Sequence, residues 1–231
     1  MDFFSAPVER EIAAALEARH ILPPLAARLA HYGMLVLDGN RKLNLSGAKT
    51  PEAIVDHLTD SLTVLPYVAA PYLDVGSGAG FPAIPVALAA GITPTLIEAT
   101  IKKARFLEGL PEALSFDATV IAERAETAAH RSDLRETFAS ATCRAVTSAS
   151  ASLELTLPLL RAGGVAILQR GDLEPAERHA VEDAALVLGG RFEDEIPVEG
   201  ARRILLVRKI APTPLRFPRR PGVPDRRPLC E

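Results

Sequence analysis

Three glycines at alternate positions stand between a short apolar run and a longer apolar run with helical spacing. They are Gly76, Gly78 and Gly80 in the stretch YLDVGSGAGFPAIPVAL, and Asp74 precedes them. A strand that turns tightly into a helix leaves free backbone N–H groups at the start of the helix, and glycines let a ligand approach that backbone closely. The stretch therefore predicts a ligand-binding loop.

Three classes of ligand use such a loop, and each requires different residues. A nucleoside triphosphate site requires GxxxxGK followed by Ser or Thr, and no lysine follows Gly80 ahead of the helix. A dinucleotide site shows GxGxxG, and the bulky Phe81 weakens this interpretation without removing it. S-adenosylmethionine sites combine an acidic residue with GxGxG, which Asp74, Gly76 and Gly78 begin and Gly80 completes.

A second acidic residue supports the third class of ligand. Glu98 in TLIEA ends the next predicted strand, where its carboxylate can accept hydrogen bonds from both ribose hydroxyls of S-adenosylmethionine. The glycine loop and Glu98 together favour this cofactor. A tight turn made of purely structural glycines is the alternative.

The elements that hold these residues alternate along the chain. Strands are predicted at YLDV, TPTLIE, ATVIA, ATCRAV and GVAILQR, and helices at Phe81–Ala90, Ile101–Leu114, Ser150–Leu160 and Pro175–Leu188. This alternation indicates an α/β, doubly wound, mostly parallel sheet covered on both faces. The runs FEDEIPV and RRILLVRK follow without a helix between them and predict an antiparallel edge hairpin. Such an arrangement is typical of the Rossmann-like class I methyltransferases.

Helices are also predicted ahead of the sheet. They run through PVEREIAAALEARH, PPLAARLAHYGMLVLD and PEAIVDHLTDSLTVL, with a loop at GNRKLNLSGAKT and Thr50 as the cap of the third helix. We expect residues 1–70 to form a helical segment packed on the core and residues 71–210 to form the S-adenosylmethionine-binding domain. Residues 211–231 are expected to form a basic, proline-rich tail.

Composition limits the classes of protein. The chain has 231 residues, of which 48% are hydrophobic, so it can bury one substantial core. No run approaches the roughly 20 apolar residues that span a bilayer, and the first residues lack the pattern of a secretion signal. Two distant cysteines indicate neither a disulfide framework nor a metal site. We therefore expect a cytoplasmic protein without a metal and without membrane contact.

Charge is distributed unevenly along the chain. From Arg202 to the end there are nine basic residues and two acidic ones, whereas the preceding part holds 17 basic and 27 acidic residues. A basic end on an acidic body suggests a polyanionic partner. The alternative is a solvated tail that pairs with the acidic body.

The chain resembles the bacterial guanine-N7 methyltransferases of small-subunit ribosomal RNA, a family also called glucose-inhibited division protein B. The resemblance covers about Asn40 to Leu229 and is carried by NLSGAKTPEAIVDHLTDSL, LDVGSGAGFPAIPVAL, TLIEATIKKARFL, AERAE, CRAV, LPLLRAGG and APTPLRFPRRPGVPDRRPL. It implies methyl transfer from S-adenosylmethionine to N7 of a specific guanine in 16S ribosomal RNA, either as RNA or in the small subunit. We expect a monomer to act on it.

The resemblance also implies roles for individual residues. It places cofactor contacts at Gly76, Phe81, Ala125, Glu126 and Arg144. For Glu126 the alternative is a solvated carboxylate at a helix start. For Arg144 the alternative is a structural ion pair, because an unpaired charge in an apolar run is costly.

The implied chemistry requires no general base, because guanine N7 already has a lone pair in the base plane. The Asp/Asn-Pro-Pro-aromatic element of exocyclic-amine methyltransferases is missing, which disfavours adenine-N6 methylation. Cys143 could serve methylation at a pyrimidine C5 as a nucleophile, although a buried inert cysteine is commoner. Asn44, His57 and Asp60 are candidates on the substrate side.

An RNA substrate also requires basic residues near the mouth of the cleft. Candidates for RNA contact are Lys102, Lys103, Arg105, Arg170, Arg219 and Arg220. Replacing the last two by alanine is expected to weaken RNA binding and leave cofactor affinity intact. Two rival functions stay open: a methyltransferase of the same fold acting on a small molecule or protein, and a non-catalytic RNA-binding module.

Overall fold

The computed structural model describes residues 5–144 and 147–230, and in this part seven strands form one sheet. The strands are β1 Tyr72–Val75, β2 Pro94–Ile97, β3 Thr119–Ile121, β4 Phe138–Arg144, β5 Leu160–Arg170, β6 Gly190–Pro197 and β7 Arg203–Lys209. Their order is β3-β2-β1-β4-β5-β7-β6; β1 to β5 are parallel, and β7 is antiparallel to both of its neighbours. The predicted fold class is confirmed, including the edge hairpin.

Helices precede the sheet and connect its strands. They are α1 Ser5–Ala18, α2 Pro23–Leu43, α3 Pro51–Leu62, α4 Ala83–Ala90, α5 Ile101–Leu114, α6 Ala125–Ala128, α7 Ala149–Thr156, α8 Pro175–Val187 and α9 Val223–Arg226. Thr50 caps α3 as predicted, since its hydroxyl accepts a hydrogen bond from the Ala53 N–H at 3.3 Å. The last two residues of the predicted strand ATCRAV lie outside the described residues.

One predicted loop is partly helix. α2 continues through GNRKL to Leu43, and its C-cap Asn44 has a left-handed φ of 46°. A Cβ at Gly39 would lie 2.4 Å from Leu45 Cδ1 and 3.0 Å from Phe106 Cε2, so a larger residue would require these side chains to move. The turn is helical despite the poor helix propensity of glycine.

The sheet separates two hydrophobic cores. In β1 the side chain of Tyr72 belongs to the core under α1 to α5, whereas Leu73 and Val75 belong to the core under α7 and α8. All four residues of β1 are buried, as expected for a central strand of a parallel sheet. The N-terminal helices therefore cover one face of the sheet.

The C-terminal strap, defined as residues 211–230, packs on the second core. Phe217 is 4% exposed and belongs to that core. Arg135 donates hydrogen bonds to the carbonyls of Thr213 at 2.8 Å and Phe217 at 3.0 Å. Deleting the strap would therefore open the core.

Within the described residues no helix combines the length and the apolar character needed to cross a bilayer.

Candidate functional site

The glycine loop turns from β1 into α4 with left-handed backbone at Gly76, Gly78 and Gly80, whose φ angles are 72°, 57° and 106°. A Cβ at Gly80 would lie 2.5 Å from Ile84 Cγ1, so this glycine is required for packing. A Cβ at Gly78 would meet nothing closer than 3.8 Å. The loop therefore presents open backbone at its middle glycine, where a ligand can approach.

Glu98 lies beside this open backbone. Its Oε2 accepts a hydrogen bond from the Gly78 N–H at 2.9 Å, and its Oε1 accepts one from the Thr100 N–H at 2.7 Å. The Glu98 side chain is buried, and each oxygen of a carboxylate has about two lone pairs that can accept hydrogen bonds. The two backbone bonds fix the carboxylate while leaving it acceptor capacity for a pair of hydroxyls.

Asp74 lies buried at the end of β1. Its Oδ1 accepts a hydrogen bond from the Thr142 hydroxyl at 2.6 Å, and that hydroxyl in turn accepts one from the Tyr72 hydroxyl at 2.6 Å. Oδ2 has no hydrogen-bond partner among the described atoms. Burial raises the pKa of Asp74 to about 7. A buried carboxylate oxygen without a partner fits a positively charged ligand above the loop.

A cleft of about 260 Å³ opens at the carboxyl edge of the sheet. Its wall contains six of the eight predicted cofactor residues: Gly76, Gly78, Glu98, Ala125, Glu126 and Arg144. Asp74 and Phe81 are not part of this wall. The strand ends bring together residues that are up to 68 positions apart in sequence, as expected for an open parallel sheet.

Glu126 is not a solvated carboxylate, since it is only 3% exposed. Arg124 pairs with it at 2.8 Å, and the N–H of Gly222 in the strap donates to its Oε1 at 2.8 Å. Burial raises the pKa of Glu126, but these hydrogen bonds outweigh burial and the pKa lies below its usual value. The strap is therefore bonded to a wall residue of the cleft.

Arg144 makes an ion pair and also lines the cleft, so both interpretations of this residue apply. Its Nη1 lies 3.3 Å from Asp60 Oδ2, and its Nη2 donates to His57 Nδ1 at 3.1 Å. Burial, together with the charge of Arg144, lowers the pKa of His57. Because arginine only donates, His57 is neutral with its proton on Nε2.

Phe81 packs behind this cluster. Its ring centroid lies 5.2 Å from that of His57, 5.2 Å from that of Tyr32 and 5.8 Å from the Arg144 guanidinium carbon. Asn44 is exposed at the end of α2 and makes no side-chain hydrogen bond to His57 in the described residues. Of the three substrate-side candidates, the structure therefore brings His57 and Asp60 together at Arg144.

The basic candidates differ in their availability for RNA. Lys102, Arg105 and Arg220 are exposed, and Lys103 lies in the cleft wall. Arg170 donates to the Thr147 carbonyl and pairs with Glu177 at 3.6 Å. Arg219 pairs with the fully buried Glu154 at 2.6 Å.

These ion pairs bear on two expectations. Arg170 and Arg219 have partners within the protein, and Arg170 also lines a cleft; RNA contact stays a prediction for all six residues. The expectation that alanine at Arg219 leaves cofactor affinity intact is also revised, because the strap it anchors reaches Glu126.

A second cleft of about 530 Å³ adjoins the first. Arg144 lines both clefts, and the second wall also contains Asp60, Gln169 and Arg202. Sequence reasoning missed the last two of these. The position of Gln169 in this wall could be predicted from the alternation of β5 only if the order of the strands in the sheet were known.

The sheet, its antiparallel hairpin and the glycine-loop cleft define a class I, Rossmann-like methyltransferase. The model of the GidB family, rRNA small subunit methyltransferase G, matches residues 25–204. The chain belongs to this family, which confirms the expected resemblance.

Relatives of known name agree over most of the chain. A protein of Trichormus variabilis is 39% identical, with coverage of 88% of this chain and 90% of its own length. A protein of Chloroflexus aggregans is 42% identical, with coverage of 82% and 84%. A Bacillus subtilis protein is 36% identical, with coverage of 86% and 88%. Each is named ribosomal RNA small subunit methyltransferase G.

Solved structures support the fold alone. Magnesium protoporphyrin IX methyltransferase of Synechocystis PCC 6803, solved with bound SAM, has a TM-score of 0.53 at 15% identity and covers 77% of this chain and 97% of its own.

Proposed function

We propose that this protein transfers the methyl group of S-adenosylmethionine to N7 of a guanine in 16S ribosomal RNA. The observation that carries the proposal is the cleft at Gly78, where Glu98 is fixed by two backbone N–H groups in a chain of this family. We further propose that it works in the cytoplasm as a monomer on RNA or on the small subunit.

The residues of the cleft fit this cofactor. Glu98 would hold the ribose hydroxyls, and the backbone at Gly76 and Gly78 gives close approach to the amino acid part. Ala125 and Glu126 would contact the adenine, and the charge of Asp74 would favour a cationic ligand. When bound, S-adenosylmethionine supplies an activated methyl group on a sulfonium.

Methylation of this acceptor requires little proton transfer by the protein. N7 of guanine carries no proton, so the protein has to orient the base and exclude water. His57 Nδ1 already accepts from Arg144, which removes it as a ready base at that atom. Cys143 is 2% exposed, and burial raises the pKa of its thiol to about 12. A thiolate nucleophile for pyrimidine C5 is therefore disfavoured.

Protonation of Asp74 should control cofactor affinity. A cation near a carboxylate favours its ionised form, so by linkage the cofactor binds more tightly once Asp74 has lost its proton. We expect affinity to rise with pH through about 7 and to level off above it, and D74N to abolish this dependence. Isothermal titration across about pH 6 to 8.5 measures it.

The same raised pKa has the opposite effect on the unliganded fold. Neutral Asp74 stabilises the folded state, and this contribution is present at low pH and lost as pH rises through about 7.

An affinity profile that is flat for the wild type, or unchanged in D74N, would contradict the role of Asp74.

Exposed basic residues lie on two elements that border the first cleft, α5 and the strap. Lys102 and Arg105 are on α5, and Arg220 and Arg227 are on the strap. Replacing all four by alanine should lower the slope of log affinity against log salt by about 0.7 for each lost phosphate contact. Fluorescence anisotropy with a fragment of small-subunit ribosomal RNA measures the slope.

A control removes two positive charges elsewhere, and the two sets are compared per charge removed. Arg161 and Arg191 are exposed at the starts of β5 and β6, at the opposite edge of the sheet. Replacing them by alanine should leave the slope nearly unchanged. Equal effects per removed charge would assign the salt dependence to net charge and not to this surface.

The function itself is tested by methyl transfer from labelled S-adenosylmethionine to small-subunit ribosomal RNA from a strain lacking this gene. Mass mapping then identifies the modified nucleoside. Labelled 7-methylguanosine at one site is the expected result. Cofactor binding without transfer to RNA or to immature subunits would overturn the proposal in favour of another acceptor.

A further inference from the structure

The second cleft is a candidate site for the acceptor, because it borders the first. Both clefts open at the carboxyl ends of the strands, and the Arg144 guanidinium belongs to both walls. The wall on the far side is formed by Asp60 of α3, Gln169 of β5 and Arg202 ahead of β7. A flat, polar ligand in this cleft would therefore have one edge at Arg144 and the neighbouring edge at Asp60.

The carboxylate of Asp60 is held in a fixed position. Arg144 lies 3.3 Å from its Oδ2, and Arg202 lies 3.3 Å from its Oδ1. Gln169 Nε2 donates to the Asp60 carbonyl at 2.9 Å and lies 3.4 Å from Oδ2. Both arginines lie at ion-pair distance without forming a hydrogen bond to the carboxylate, and among the described residues only Gln169 donates to Oδ2, so each oxygen can accept at least one further hydrogen bond.

The floor of the cleft also carries an unused acceptor. Gln169 is 7% exposed, and its Oε1 has no hydrogen-bond partner among the described atoms. The Asp60 carbonyl fixes the orientation of this amide, because only the NH2 end can donate to a carbonyl. An unpaired buried carbonyl is costly, typically about 1–3 kcal/mol. This side of the cleft is thus rich in acceptors, and a ligand edge with adjacent donors would complement it.

Guanine has such an edge. Its N1–H and N2–H2 groups are adjacent donors, which a carboxylate can accept in parallel with its two oxygens. Its O6 acceptor stands between N1 and N7. Resting on the proposed function, we propose that Asp60 is the residue that selects guanine: its carboxylate accepts from N1–H and N2–H2, and Arg144 donates to O6.

This arrangement accounts for both position and selectivity. Because O6 neighbours N7, contact of O6 with Arg144 directs N7 toward the first cleft, which shares that side chain. Adenine presents a donor at C6 and a bare acceptor at N1, so it would oppose Arg144 with a donor and Asp60 with a lone pair. Mismatched polar groups of this kind discriminate strongly between bases.

The test inverts the hydrogen-bonding pattern at one side chain. Asparagine at position 60 offers one acceptor and one donor, which suits xanthine with its N1–H and its carbonyl at C2. Asp60→Asn should therefore lower the ratio of kcat/KM for guanosine over xanthosine by at least about 100-fold relative to the wild type, with inosine between the two. The substrates are RNA fragments that carry each nucleoside at the mapped position.

A matched control and a binding readout accompany this test. Asp56→Asn lies one turn earlier on α3, is half-exposed and pairs with Arg19, so it should leave the ratio unchanged. Fluorescence anisotropy of the same RNAs in the presence of S-adenosylhomocysteine should show the same shift of preference from guanosine toward xanthosine in binding, without turnover. Cofactor affinity of Asp60→Asn should stay within about threefold of the wild type.

The outcomes separate this inference from the proposed function. If the wild type makes no 7-methylguanosine, the proposed function fails, and the binding series still tests the selection of guanine. If the wild type methylates guanine N7 but treats xanthosine equally, or if Asp60→Asn keeps the wild-type ratio, the role of Asp60 is overturned. A variant that loses all three substrates equally, with its melting temperature preserved, also overturns it.

Discussion

Replacing Arg219 by methionine is expected to lower the free energy of unfolding by about 3–5 kcal/mol. Its Nε and Nη2 donate to the two oxygens of Glu154 at 2.9 and 2.6 Å, and its backbone N–H donates to the same carboxylate at 2.7 Å. Glu154 is fully buried, so loss of the guanidinium leaves a charge in the core. Urea denaturation followed by circular dichroism measures the loss.

The same substitution should weaken cofactor binding. The strap follows Arg219 directly to Gly222, whose N–H donates to Glu126 in the wall of the first cleft. A strap that is loose at Arg219 would leave this carboxylate held by Arg124 alone. We expect a drop in cofactor affinity of about tenfold, which is the value of one typical hydrogen bond. Titration well below the melting temperature keeps the two effects apart.

A double variant and a neighbouring arginine serve as controls. E154M with R219M replaces the buried ion pair by two apolar side chains and should recover most of the stability, as such replacements often do. R220M changes an exposed arginine and should change neither stability nor cofactor affinity. If R219M proved as stable as R220M, the ion pair would not anchor the strap.

Replacing Glu98 by alanine is expected to reduce cofactor affinity by at least about 100-fold. Hydrogen bonds to a charged group contribute about 1.5–3 kcal/mol each, and two ribose hydroxyls would bond to this carboxylate. The variant also frees the N–H groups of Gly78 and Thr100, which loosens the loop. Isothermal titration with S-adenosylmethionine measures the loss directly.

Conservative substitution sharpens this result. E98Q keeps the shape but turns an NH2 group toward one of two backbone N–H donors, so it should bind the cofactor almost as poorly as E98A. Glu108 is exposed on the neighbouring α5, and E108A should bind normally. Normal cofactor binding by E98A would exclude Glu98 from the ribose site and require another location for the cofactor.

Local pattern alone predicted much of the fold. β1 occupies the predicted YLDV, and α5 begins and ends at the predicted Ile101 and Leu114. Buried strands and amphipathic helices repeat with periods that are visible over a few residues, and Thr50 lies directly at the helix it caps. The position of Glu98 near the glycines could also be predicted, because adjacent parallel strands end at the same edge of a sheet.

Packing overruled the local pattern in α2. GNRKL contains a glycine and an asparagine that predict a loop, yet it is helical, and Leu45 and Phe106 lie where a Cβ at Gly39 would be. These contacts depend on the path of the chain after the helix.

The sequence by itself determined the α/β fold, the glycine loop and the two acidic residues of a cofactor site. The tertiary structure decided which charges remain free for a partner. Arg219 and Glu154 are 65 residues apart, and Gly222 and Glu126 are 96 apart. Contacts over such separations depend on where the chain returns. Residue type identifies a charge, but its neighbours in the folded protein determine whether it binds a ligand or stabilises the core.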